Sequence, residues 1–166
     1  MKLTTSASAG FSRTGINERA PVVGASEIEI AATSEVVWEV LTAFERWPSW
    51  NPDVKSMSAQ GGVAAGSQFR WKAGPGTITS TIQRVEAPRL IAWTGKTLGI
   101  RAIHFWWLEP RDDKTFVRTE ESYEGLVTRL FRGSIQKALD SGLEDGLRYL
   151  KAEAERRITG AAETTR

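Results

Sequence analysis

The stretch EIEIAATSEVVWEVLTAFERWPSWNP, residues 27–52, changes its pattern three times, and the order of those changes decides the fold. Glu27 and Glu29 alternate with Ile28 and Ile30, the period of a strand with one buried face. Thr33 or Ser34 then supplies a capping hydroxyl, and Val37, Trp38, Leu41 and Phe44 recur at helical spacing. Pro48 and Pro52 end regular helix and leave Trp47 and Trp50 on a short turn or a second small helix, which reads as a lip and not as a core element.

Downstream, from Val54 to Glu124, six strand-like runs follow: VKSMSAQ, SQFRWKA, GTITSTIQRVE, LIAWTGKT, IRAIHFWWLE and TFVRTEESYE. The turns between them, among them GGVAAG, AGPG and EPRDDK, are too short for helical crossovers, so the sheet is expected to be an antiparallel meander. After Gly125, Phe131, Ile135, Leu139, Leu143, Leu147, Leu150 and Ala154 recur every three or four residues, which predicts one long amphipathic helix. Gly133, Gly142 and Gly146 weaken it, either to open space beside a cavity or to let it pack closely on a strand. Upstream, residues 1–25 read as a flexible arm in which Ala20 to Val23 could add an edge segment. Residues 26–158 read as a single domain and 159–166 as a frayed tail.

Composition limits the chemistry. With no cysteine and a single histidine, His104, the chain has no thiolate or multi-histidine metal centre, and no metal or cofactor is expected. Twenty-two basic and 20 acidic residues are interspersed, so no nucleic-acid partner is expected. No apolar run is long enough for a membrane span and the start lacks a signal-peptide core, which implies a cytoplasmic protein without integral membrane association. GGVAAGS and GPGTIT lack the context of phosphate-binding loops, and no GxSxG turn supports a serine-hydrolase triad. Oligomeric state is not readable.

The order strand, two short helices, six-strand meander and long closing helix resembles the helix-grip fold of Bet v 1-like and START-like proteins. The opening stretch quoted above, with RLIAWTG, IHFWWLEP and TFVRTEESYEG, is similar to the SRPBCC superfamily, whose bacterial members are often labelled polyketide cyclase/dehydrase or lipid-transport proteins. The resemblance covers about residues 26–157. It implies an α+β fold: a curved, seven-stranded antiparallel sheet wrapped around a C-terminal helix, with an apolar cavity between them and no shared catalytic motif.

Alternation assigns side chains to that cavity. Keeping Arg118 and Glu120 in water turns Val117, Thr119, Glu121 and Tyr123 inward, and the resemblance favours His104, Trp106 and Leu108 inside as well. If the PRDDK turn sets Leu108 opposite Val117, antiparallel counting pairs Trp106 with Thr119 and His104 with Glu121. The resemblance together with alternation implies that Phe69 and Trp71 share an inward set and that Trp93 joins Ile91 there, with Trp50 closing the mouth and Leu139 and Leu143 facing it from the helix. Arg70, Lys72, Arg84, Arg101 and Arg118 fall mostly on the solvated face. An apolar small-molecule ligand, lipid-like, sterol-like, polycyclic or polyketide-like, is therefore expected, bound, sequestered or carried among aromatic rings and oriented by His104, Thr119, Glu121 and Tyr123. Two alternatives stay open: a cyclase, aromatase or dehydratase using His104 and Glu121 as acid and base, and a regulatory interaction domain.

Overall fold

The computed structural model describes residues 15–164. Its elements are β1 (Val22–Ile30), α1 (Ser34–Thr42), a 3-10 turn (Phe44–Arg46), α2 (Trp47–Trp50), β2 (Val54–Gln60), β3 (Gln68–Ala73), β4 (Gly76–Glu86), β5 (Leu90–Thr97), β6 (Ile100–Arg111), β7 (Lys114–Glu124), α3 (Leu126–Leu130) and α4 (Arg132–Thr164). The seven strands form one sheet in the order β1-β7-β6-β5-β4-β3-β2, and every pairing is antiparallel. Because β1 pairs with β7, the segment from α1 to α2 must carry the chain from one sheet edge to the other. Register shifts at Val54/Ser56 and Ile82/Arg84 are bulges of the kind that increase twist and bend a sheet. α4 packs on β1 and α1 and closes the concave side. This is the expected helix-grip architecture.

β1 begins at Val22, four residues before the predicted start at Ser26, because Val22 to Ala25 pair with Glu120 to Tyr123. Residues ahead of it are also engaged. The Asn17 amide donates to Ser122 Oγ at 3.1 Å, its side chain donates to Glu124, and Gly15 lies against the Phe105 ring. This packing explains a second difference: on the outer face Glu120 and Ser122 are buried, although alternation placed Glu120 in water. Arg118 donates to the Glu120 carboxylate, so the buried charge is paired. Arg70, Lys72, Arg84 and Arg101 are exposed as expected. The part of the predicted arm before residue 15 lies outside the described residues.

The closing helix is not continuous. Phe131, with φ −118 and ψ 32, breaks it between α3 and α4, and the side chain is 61% exposed where the helical period had buried it. Past the break Leu139, Leu143, Leu147, Leu150 and Ala154 do form the buried stripe. α4 runs on through Thr164, beyond the expected fraying point, and Glu153 pairs with Arg156 and Arg157.

Trp47 is the larger correction. Pro48 at the first turn starts α2 rather than excluding helix, and Trp47, only 5% exposed, points into the core. Its ring sits edge-on or tilted to Phe44, Phe69, Trp71 and Trp93 at centroid distances of 5.3, 6.1, 5.6 and 6.0 Å, and its Nε1 donates to the Leu41 carbonyl at 2.9 Å. Only Trp50 remains at the lip.

Candidate functional site

Between the concave face and α4 lies a cavity of about 220 Å³. Its wall contains Trp47, Trp50, Trp71, Trp93 and Trp106, with Leu139, Leu143, Gly142 and Gly146 from α4. A Cβ placed on Gly142 or Gly146 would meet nothing within 4 Å. These two glycines therefore create space, and the close-packing alternative for them does not hold. Gly133 is equally open but lies outside the wall.

The polar part of the wall follows from strand register. β6 and β7 pair as counted, with Leu108 opposite Val117, Trp106 opposite Thr119 and His104 opposite Glu121. On the other side of β6, His104 faces Trp93 of β5. The imidazole is thus held between two indoles, 5.0 Å from Trp93 and stacked at 5.2 Å on Trp106, and is 7% exposed.

Both ring nitrogens face side-chain oxygens. Thr119 Oγ1 lies 2.7 Å from His104 Nε2 and 3.2 Å from the Phe105 carbonyl, so its hydroxyl ties the ring to the β6 backbone. On the other side of the ring, Nδ1 faces Glu121 Oε1 at 3.3 Å. The approach lies off the line of a good hydrogen bond, and Nδ1 has no aligned partner among the described residues. At 3.3 Å the Tyr123 hydroxyl donates to the other oxygen, Glu121 Oε2, giving the chain Tyr123–Glu121–His104–Thr119.

Burial, followed by the charge and acceptor oxygen of Glu121, holds the Tyr123 phenol well above its usual range. The folded protein consequently keeps a proton there that the unfolded chain releases near pH 10. Stability from this site is fully present below that pH and declines as pH rises beyond it. Alkaline unfolding followed by circular dichroism should show this decline, and Tyr123→Phe should flatten it; an unchanged profile in the variant would contradict the assignment.

Of the residues expected in the site, Trp50, Trp71, Trp93, His104, Trp106, Glu121, Tyr123, Leu139 and Leu143 lie in the wall. Thr119 is fully buried behind His104, and Phe69 belongs to the core beneath, stacked on Phe44 at 4.4 Å. Not anticipated were Trp47, Leu41, Ile78, Asn51 and Asp53, which reach the wall from the α1–β2 segment and β4. Two indole donors of the wall, Trp50 Nε1 and Trp106 Nε1, have no acceptor among the described residues.

A curved sheet gripping a helix over an indole-walled hollow defines a helix-grip cavity protein of the START-like, SRPBCC superfamily. The chain belongs to the family described as polyketide cyclase / dehydrase and lipid transport, which it matches over residues 22–155. No curated protein matches it in sequence. Among solved structures, a hypothetical protein of Helicobacter pylori aligns with TM-score 0.74 at 17% identity, covering 92% of this chain and 99% of the other. The Zhui aromatase/cyclase of Streptomyces sp. R1128 aligns with TM-score 0.69 at 18% identity, over 82% and 94% of the two chains. A START superfamily protein of Mycobacterium smegmatis aligns with TM-score 0.63 at 18% identity, over 81% and 97%. At these identities the likeness is one of fold.

Proposed function

We propose that the cavity binds a compact, largely apolar small molecule with one or two aromatic rings and at least one polar group. The observation that carries this is the indole wall with a single polar chain set into it. Size narrows the ligand. A dry apolar cavity of about 150 Å³ accepts benzene, whereas drug-sized ligands occupy pockets of roughly 300–1,000 Å³. At about 220 Å³ the space favours one or two rings over a sterol-sized body. Flat faces of Trp93 and Trp106 suit ring packing, and the Trp50 and Trp106 indole N–H groups favour a ligand with acceptor oxygens.

The experiment is extraction of the purified protein followed by denaturing mass spectrometry, together with calorimetric titration of 2-naphthol. A co-purifying aromatic compound, or saturable 2-naphthol binding, is the expected result. A protein that carries nothing and binds no ring compound would defeat the reading.

The approach of His104 Nδ1 to Glu121 Oε1 at 3.3 Å, inside the cavity wall, favours a second reading, an acid/base enzyme of cyclase or dehydratase type. His104→Gln separates the two. As an orienting group, His104 should change affinity by less than about tenfold when replaced; as an acid/base, its loss should lower turnover by about a hundredfold to ten-thousandfold while binding survives.

A further inference from the structure

We propose that the end of the fold formed by the β5–β6 turn, α3 and the start of α4 is a docking surface for a bilayer with anionic headgroups. Four large apolar side chains stand out there: Leu98, Leu126, Leu130 and Phe131 are 63, 71, 67 and 61% exposed. Single exposed leucines are ordinary, but a connected group is not. Leu98 and Leu126 line one shallow depression between the turn and α3. α3 is fixed against that turn at Gly125, whose φ of 137 brings its backbone onto the Gly99 carbonyl, where a Cβ would collide. Leu130 follows Leu126 by one helical turn, and Phe131 sits at the break.

The charge around this group is predominantly positive. Lys96, Arg101, Arg129, Arg132 and Lys137 are all exposed, and the segments 96–101 and 125–138 contain no acidic residue. Glu124, at the edge, reaches Arg101 at 3.7 Å, and Arg129, Arg132, Lys96 and Lys137 have no ion-pair partner among the described residues. Apolar tips inside a cationic rim match a membrane interface, where leucine and phenylalanine enter the acyl boundary and the cations meet phosphate. A nucleic acid would use the cations and leave the apolar tips idle. No helix of the described residues is long and apolar enough to cross a membrane, so the contact is peripheral. The surface adjoins the cavity: Gly76, between the wall residues Ala73 and Ile78, packs against Thr97 and Leu98. An apolar ligand would have a short path from bilayer to cavity.

Co-sedimentation of the full chain tests this, using vesicles of phosphatidylcholine alone and with roughly 30% phosphatidylglycerol. Binding to the anionic vesicles should exceed binding to the neutral ones and fall as salt is raised. Leu126→Ser with Phe131→Ser should lower partitioning at least about tenfold, and Arg129→Gln with Arg132→Gln by roughly twenty-five-fold, at about fivefold per cation. All four positions are exposed, so thermal midpoints should stay unchanged. Absence of binding to the anionic vesicles, or equal binding to both kinds, would overturn the proposal. So would vesicle binding insensitive to the serine variants, which would assign the cations to a polyanion or an acidic protein instead.

Discussion

Gly142→Leu is expected to stabilise the fold and abolish ligand binding together. The substitution removes a helix penalty of about 1 kcal/mol. Its side chain has room, since nothing stands within 4 Å of a Cβ at this position, and it would project into the 220 Å³ space. Gly142 is itself exposed at the rim of the wall, so the gain in stability is the helix penalty removed, while a ring ligand loses both volume and wall contacts. Affinity should fall by roughly a hundredfold or more, corresponding to about 3 kcal/mol. Gly133→Ala is the control, because Gly133 is open but outside the wall. Urea unfolding and calorimetric titration on the same samples would read both effects. Loss of stability in Gly142→Leu would mean that the space under α4 is not there.

Trp47→Ala has the largest expected cost to the fold. The residue is 5% exposed, packs against five other aromatic rings and donates its indole hydrogen to Leu41. Removing a buried tryptophan leaves a large void, and a loss of about 3–5 kcal/mol is expected in denaturant unfolding. Trp47→Phe keeps most of the ring contact and should cost less. A change below about 1 kcal/mol for the alanine variant would return α2 to the status of a surface lip.

The same residue shows where local sequence stops being informative. Two prolines in WPSWNP argued for a break, and they do bound α2, but which tryptophan turns inward depends on Phe69 and Trp93, far away in the chain. The register of β6 and β7 was legible because a short turn and strict two-residue alternation leave one consistent pairing, and His104 opposite Glu121 followed. Burial of Glu120 was not, since alternation reports which face a side chain takes and not what covers that face; residues 15–17 cover it. For Phe131, helical spacing extrapolated through a residue that leaves helical geometry, so the period lost its phase. Gly142 and Gly146 carried two meanings in sequence, and only the missing neighbours in space separate them. Cavity volume depends on how closely α4 approaches the sheet, a distance no residue pattern encodes.

The chain has one histidine, so its imidazole gives a single, unambiguous set of nuclear magnetic resonance signals. Titration of 2-naphthol while following those signals tests the central claim most directly. If the hollow under α4 receives a ring ligand beside the His104–Glu121 pair, the His104 resonances should move with saturable dependence in the native protein and stay still in Gly142→Leu. A His104 signal that does not move while 2-naphthol binds elsewhere, or an equal shift in both proteins, would contradict the account.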